Sequence, residues 1–266
     1  MTTRSDLTRQ LCVTASFVAA LIGTLFGLGL LGTRVENSSG GALRADATLL
    51  TPATTAFSIW SVIYVGLTLY LVWQWLPANR QSPKARSTGW WAAASLLLNG
   101  LWLAVTQAGW LWISVLVIAV LAYVLGRVGV ALVGQPPSGI VELLALYVTF
   151  GLYLGWVCVA TVANVTAAAV GTGVRLGGAE PVVAVVVLLV AGALGLWLAK
   201  ALPGQPMIGV AMGWGLAWIA VGRLLVQPQS LLVGAVAAIC AAGVLAAHVI
   251  SWRNLAHHPR SVNTPA

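Results

Sequence analysis

The sequence predicts an all-α fold, a polytopic membrane helical bundle of about eight transmembrane helices. Three observations carry this. Hydrophobic residues make up 60% of the 266 and charged residues only 7%, with a mean hydropathy of +0.96. A soluble domain carries about 25% charged residues, so most of this chain has no aqueous surface. Apolar runs of about 20 residues, the length that crosses a bilayer as a helix, recur eight times. Turn chemistry fills several of the breaks: Pro77-Ala-Asn-Arg-Gln-Ser-Pro83, Gln135-Pro-Pro-Ser138 and Pro203-Gly-Gln-Pro206.

The first run, 11–32, follows the polar stretch MTTRSDLTRQ. At about 20 residues it exceeds the roughly 7–15 of a signal-peptide core, so it reads as a retained first helix. A long connection at 33–50 contains Asn37-Ser-Ser-Gly-Gly41 and reads as mobile. The second run, 53–75, opens after Thr51-Pro52, a helix-start signal. Runs at 89–107 and 110–127 are parted only by Gln107-Ala-Gly109, which makes them a tight antiparallel hairpin. The remaining spans are expected at 139–164, 181–200, 206–226 and 229–252.

Eight spans divide the basic residues between two membrane faces. One face collects Arg4, Arg9, Arg80, Lys84, Arg86, Arg127, Lys200, Arg253 and Arg260; the other collects Arg34, Arg44, Arg175 and Arg223. Nine against four puts both termini in the cytoplasm, in a bacterial plasma membrane. The net charge of +8 lies between apolar runs. It is therefore a topology signal and a contact for membrane lipid headgroups, and nucleic acid is not an expected partner.

The thirteen tryptophans fall into two sets. Trp73, Trp75, Trp90, Trp91, Trp110, Trp112 and Trp252 flank polar breaks and read as an interfacial belt. Trp60, Trp102, Trp156, Trp197, Trp214 and Trp218 lie well inside their runs. Three helical stripes organise the second set. Phe57, Trp60, Tyr64 and Leu67 share one face of the second span; Ser95, Asn99, Trp102 and Thr106 share one of the third; Thr149, Tyr153, Trp156, Ala160 and Asn164 share one of the fifth. A carboxamide without a partner in hydrocarbon costs several kcal/mol, so Asn99 and Asn164 must face the bundle interior. Either amide alone serves as helix–helix glue. Three stripes of the same chemistry point instead to a cavity for a flat, mostly apolar ligand with a few polar handles.

These residues resemble the tryptophan-rich TspO/MBR (translocator protein) family. The matching segments are Thr51-Pro52 with Phe57-Ser-Ile-Trp60-Ser-Val-Ile-Tyr64, then Leu98-Asn99-Gly-Leu-Trp102, then Trp156-Val-Cys-Val-Ala160-Thr161-Val-Ala-Asn164. They come in the family's order and on the corresponding helices, over about residues 11–168. The resemblance implies a TspO-like five-helix domain at 1–170, with 171–266 an additional three-helix membrane segment and polar tail. It further implies a porphyrin-like small molecule bound between the second, third and fifth helices, under the loop that follows the first. No obligatory cofactor is implied. Phe57, Trp60, Tyr64, Asn99, Trp102, Tyr153, Trp156, Ala160 and Asn164 are the candidate ligand-binding residues. Ala53 stands where the family has a second proline, and threonine replaces the usual following tryptophan. The chain after Asn164 lacks the tyrosine and basic residue of a sterol motif, which turns the expectation away from sterols. The implied role is sensory or regulatory; the alternative is a transporter of a tetrapyrrole or other apolar metabolite.

No nucleophile–base–orienter set, phosphate loop or metal-ligand spacing occurs in the sequence. Any chemistry would be a weak light-dependent degradation of bound porphyrin beside Trp60 and Trp156. Glu142, seven residues before Thr149 and on the same helical face, reads as an interfacial carboxylate or a proton relay. Arg223 reads as a snorkelling side chain, and His248 as packed rather than ligating. Cys12, Cys158 and Cys240 read as small buried hydrophobes. Gly23-x-x-x-Gly27 and Gly209-x-x-x-Gly213 permit close packing within the chain or in a homodimer.

Overall fold

The computed structural model describes residues 4–257 except 28, 32 and 34; Arg34, His258 and Arg260 lie outside the described residues. Among the described residues, eight helices long and apolar enough to cross a membrane run in order. They are α1 (Arg4–Gly27), α2 (Ile59–Trp75), α3 (Pro83–Gln107), α4 (Leu111–Leu132), α5 (Ile140–Gly171), α6 (Glu180–Ala201), α7 (Pro206–Leu225) and α8 (Leu231–His257). The chain is an integral membrane helical bundle.

Local chemistry sets the ends. Ser82 caps α3 by accepting from the Ala85 N–H at 3.0 Å, with Pro83 in the first turn, where its missing N–H costs nothing. Pro181 and Pro206 open α6 and α7 in the same way. Gly109, at φ 75°, makes the left-handed turn of the α3–α4 hairpin. The N-terminal helix begins earlier than its apolar run, because its polar first turns find partners. Asp6 binds Arg9 and Arg86, and the Gln10 side chain donates to the Gln74 carbonyl at 2.6 Å.

The central element is α5, with 78% of its most apolar stretch buried against 28% for α1 and α2. It packs on α4 and α7, and touches α2 along its first half; α1 packs on α3, α3 on α4, and α8 covers both α6 and α7. Small residues allow the closest approaches. Gly23 meets Gly100 between α1 and α3; Gly155 meets Ile208 and Ala211 between α5 and α7; Gly209 meets His248 between α7 and α8. Both spaced-glycine pairs are thus used within the chain. The main apolar core runs through all eight helices, from Val13 and Ile63 through Leu96, Leu121 and Trp156 to Leu188, Ile208 and Val244, and a small second cluster joins Ala42, Leu111, Ala167 and Ala168.

One irregularity was not visible in the hydrophobic pattern. Over Leu143–Val148 the fifth helix widens into a π-type turn, and the Thr149 hydroxyl donates to the Leu144 carbonyl at 2.7 Å. The extra residue breaks the register between Glu142 and the Thr149 stripe. Glu142 therefore leaves the stripe's face and instead accepts from Lys84, from the Ser138 N–H at 3.2 Å and from the Ser138 hydroxyl at 2.8 Å.

Candidate functional site

A cavity of about 430 Å³ opens inside the bundle, bounded by α1, α2, α3, α5 and the connection before α2. Its centre is aromatic. The Trp60 ring stands edge-on to Trp156, with centroids 6.4 Å apart, and lies 5.6 Å from Tyr64; Phe57 meets Trp156 edge-on at 5.5 Å. Such edge-to-face pairs hold indoles rigidly, so the wall is formed before any ligand arrives.

One polar chain crosses the apolar wall. The Asn99 amide donates to the Tyr64 hydroxyl at 2.8 Å, and that hydroxyl lies 2.5 Å from Thr24 Oγ1, which reaches the Ala20 carbonyl at 2.9 Å. The single Thr24 proton is shared between the Ala20 carbonyl and the Tyr64 hydroxyl, which accepts from both Thr24 and Asn99. With its nitrogen turned to Tyr64, Asn99 keeps its carbonyl oxygen as an acceptor at the cavity. The Asn164 amide donates to Ser114 on α4 at 2.9 Å and lines the same space. The indole N–H groups of Trp102 and Trp156 are buried without a hydrogen-bond partner. Buried donors are rarely left so, and each one left unpaired costs about 1–3 kcal/mol.

Eight of the nine residues singled out in the sequence line this cavity: Phe57, Trp60, Tyr64, Asn99, Trp102, Trp156, Ala160 and Asn164. Tyr153 does not. Its fully buried ring is wedged behind Trp60 at 5.7 Å, and its hydroxyl reaches the Ser95 carbonyl at 3.3 Å. The sequence stripes missed the contribution of α1, where Thr24 and Gly27 line the cavity, and of the connection, which adds Val35, Leu43, Thr51 and Pro52. Thr24, a lone hydroxyl one residue after Gly23, was the available signal.

One tryptophan expected at the membrane boundary lies elsewhere. Trp73 is 2% exposed, stacked 6.0 Å from Tyr70 inside the bundle, and does not belong to the boundary belt. Trp197 is 60% exposed on the outer face of α6. Trp214 and Trp218 turn toward the start of α2: the Trp214 indole donates to the Ala56 carbonyl at 2.9 Å, and the Trp218 carbonyl accepts from the Ala53 N–H at 3.2 Å. Arg223 is corrected too. It does not snorkel; it is 1% exposed and donates to the carbonyls of Thr48 at 3.0 Å and Ala45 at 3.2 Å.

Comparison with known proteins was decisive at this point. A family model described as TSPO-like protein matches residues 10–251. The chain belongs to the TSPO-like protein family. The match takes in α6, α7 and α8 together with the five helices whose motifs carry the resemblance, in keeping with the main core that joins all eight in this TSPO-like bundle. No curated protein and no solved structure matches the chain significantly.

Proposed function

We propose that this protein is a sensory or regulatory membrane protein that binds a porphyrin-like planar ligand in the cavity between α1, α2, α3 and α5. The observation that carries the reading is the set of rigid indoles and the Asn99 carboxamide that line one cavity of about 430 Å³. A tetrapyrrole offers a flat π-face for Trp60 and Trp156. Its pyrrole N–H groups donate, which suits the free oxygen of Asn99. The volume lies within the roughly 300–1,000 Å³ of small-molecule sites. Family membership supports the same class of ligand. The charge count along the sequence supports an orientation with both termini cytoplasmic.

Titration of the purified protein with protoporphyrin, read by tryptophan quenching and the Soret band together, tests the reading. Saturable binding is expected, weakened about tenfold in Trp60→Ala and in Asn99→Ala, which corresponds to about 1.4 kcal/mol each. Non-saturable partition that is identical in all three proteins would discard it.

A further inference from the structure

Among the described residues, the segment over the cavity makes its hydrogen bonds to another element than the helices it covers. Thr51, Pro52 and Thr54 form part of the cavity wall, yet the bonds that hold 45–56 come from α7, which contributes no lining side chain among the described residues. Three attachments do this. The Arg223 guanidinium bridges the carbonyls of Ala45 and Thr48, the Trp218 carbonyl takes the Ala53 N–H, and the Trp214 indole reaches the Ala56 carbonyl. The three contacts follow the segment from its α2 end back toward its start: Trp214 and Trp218, four residues apart, share a face of α7, and Arg223, nine residues from Trp214 and off that face, reaches in from the last turn through its long side chain.

Arg223 is the costly member. A guanidinium that is 1% exposed, bound to carbonyls rather than to a carboxylate and with its Nε unpartnered, is an expensive way to pack a helix end. The arrangement makes sense where a planar fork must hold two backbone carbonyls at once, which an ammonium cannot do with the same geometry. Position helps: Arg223 lies in the last turn of α7, where the helix dipole favours a cation. Asp46, beside Ala45, is kept ionised by its hydrogen bond to Arg44 and adds a compensating negative charge nearby.

We propose that Arg223 is a positioning residue for the cavity: together with Trp214 and Trp218 it clamps the 45–56 segment as a wall, so that ligand release is governed from α7. The proposal rests on the reading of the cavity as a ligand site. In the full chain, amide hydrogen exchange over 43–56 and the protoporphyrin dissociation rate are measured for wild type, Arg223→Lys, Arg223→Met and Trp214→Phe, with Arg253→Met as a control on an exposed arginine. Arg223→Met is expected to raise exchange over 45–53 about tenfold and to speed release about tenfold, leaving exchange in α3 and α5 unchanged. Arg223→Lys should fall between it and wild type, and the control should match wild type. Trp214→Phe keeps the ring and loses one hydrogen bond, so it tests the clamp even where Arg223→Met fails to fold; a smaller rise confined to 53–57 is expected. Unchanged exchange over 45–56 in both Arg223→Lys and Trp214→Phe overturns the clamp, and raised exchange with unaltered release overturns its control of the ligand. A wild type that binds no porphyrin yet shows the exchange pattern removes the ligand reading while supporting the clamp itself.

Discussion

Tyr64 shows what one residue contributes to this site. Its ring belongs to the aromatic wall, and its hydroxyl links Asn99 on α3 to Thr24 on α1. Tyr64→Phe keeps the ring but strands the Asn99 amide and removes an acceptor of the Thr24 hydroxyl. A stability loss of about 1–2 kcal/mol is expected, measured as unfolding of the detergent-solubilised protein; an unaltered midpoint would mean that water or a shifted side chain replaces the hydroxyl. At this scale the sequence was informative where a residue's chemistry forbids a lipid-facing position. Asn99 and Asn164 had to point inward, and Trp102, three residues from Asn99, and Trp156, eight residues from Asn164, followed on the same faces. It was uninformative where one residue type suits two places. Trp73 was expected at the boundary and is stacked inside on Tyr70, whereas Trp197, well inside its run, is turned outward; the residue type alone does not separate the two. Arg223 was misread for a related reason: its partners are backbone carbonyls, which leave no trace in the sequence.

The eight helices were legible as elements, since each must satisfy its own backbone and bury or expose apolar surface over a bilayer's width. The π-type turn in α5 was not, because it changes register without changing hydropathy. Its effect is to send Glu142 to Lys84 and Ser138 at the helix start, while Thr149, Trp156 and Asn164 keep a common stripe further along. Helix contacts depend on small residues more than on the aromatic pattern. Gly151 and Gly155 on α5 face Met207, Ile208 and Ala211 on α7, with Gly215 against Val159 further along the same seam. A Cβ at Gly155 would sit 2.9 Å from the Ala211 Cβ and would run into the Ile208 carbonyl, a backbone group that cannot rotate away. Gly155→Ala is therefore expected to cost about 1–3 kcal/mol through forced separation of α5 and α7. Thermal unfolding in detergent measures it, with Gly126→Ala, which meets nothing within 4 Å, as the neutral comparison.

At the scale of the whole molecule, the open question is whether the last three helices are an appendage or part of the site's architecture. Motif matching ended near residue 168, since aromatic and amide stripes are the recognisable signal and α6, α7 and α8 carry few of them. Packing does not end there. The buried face of α7 closes on α5, and its last turns hold the segment above the cavity. Helices that insert separately into a bilayer can still find one another afterwards through close packing. A chain cut between 177 and 178, with the halves co-expressed, should thus reassemble through the α5–α7 seam and co-purify. The 1–177 half alone should insert but lose the slow amide exchange over 45–56 and, with it, tight porphyrin binding. Should the isolated half protect that segment as the intact protein does, the five-helix unit would be complete in itself, and the α7 contacts would be incidental to the site.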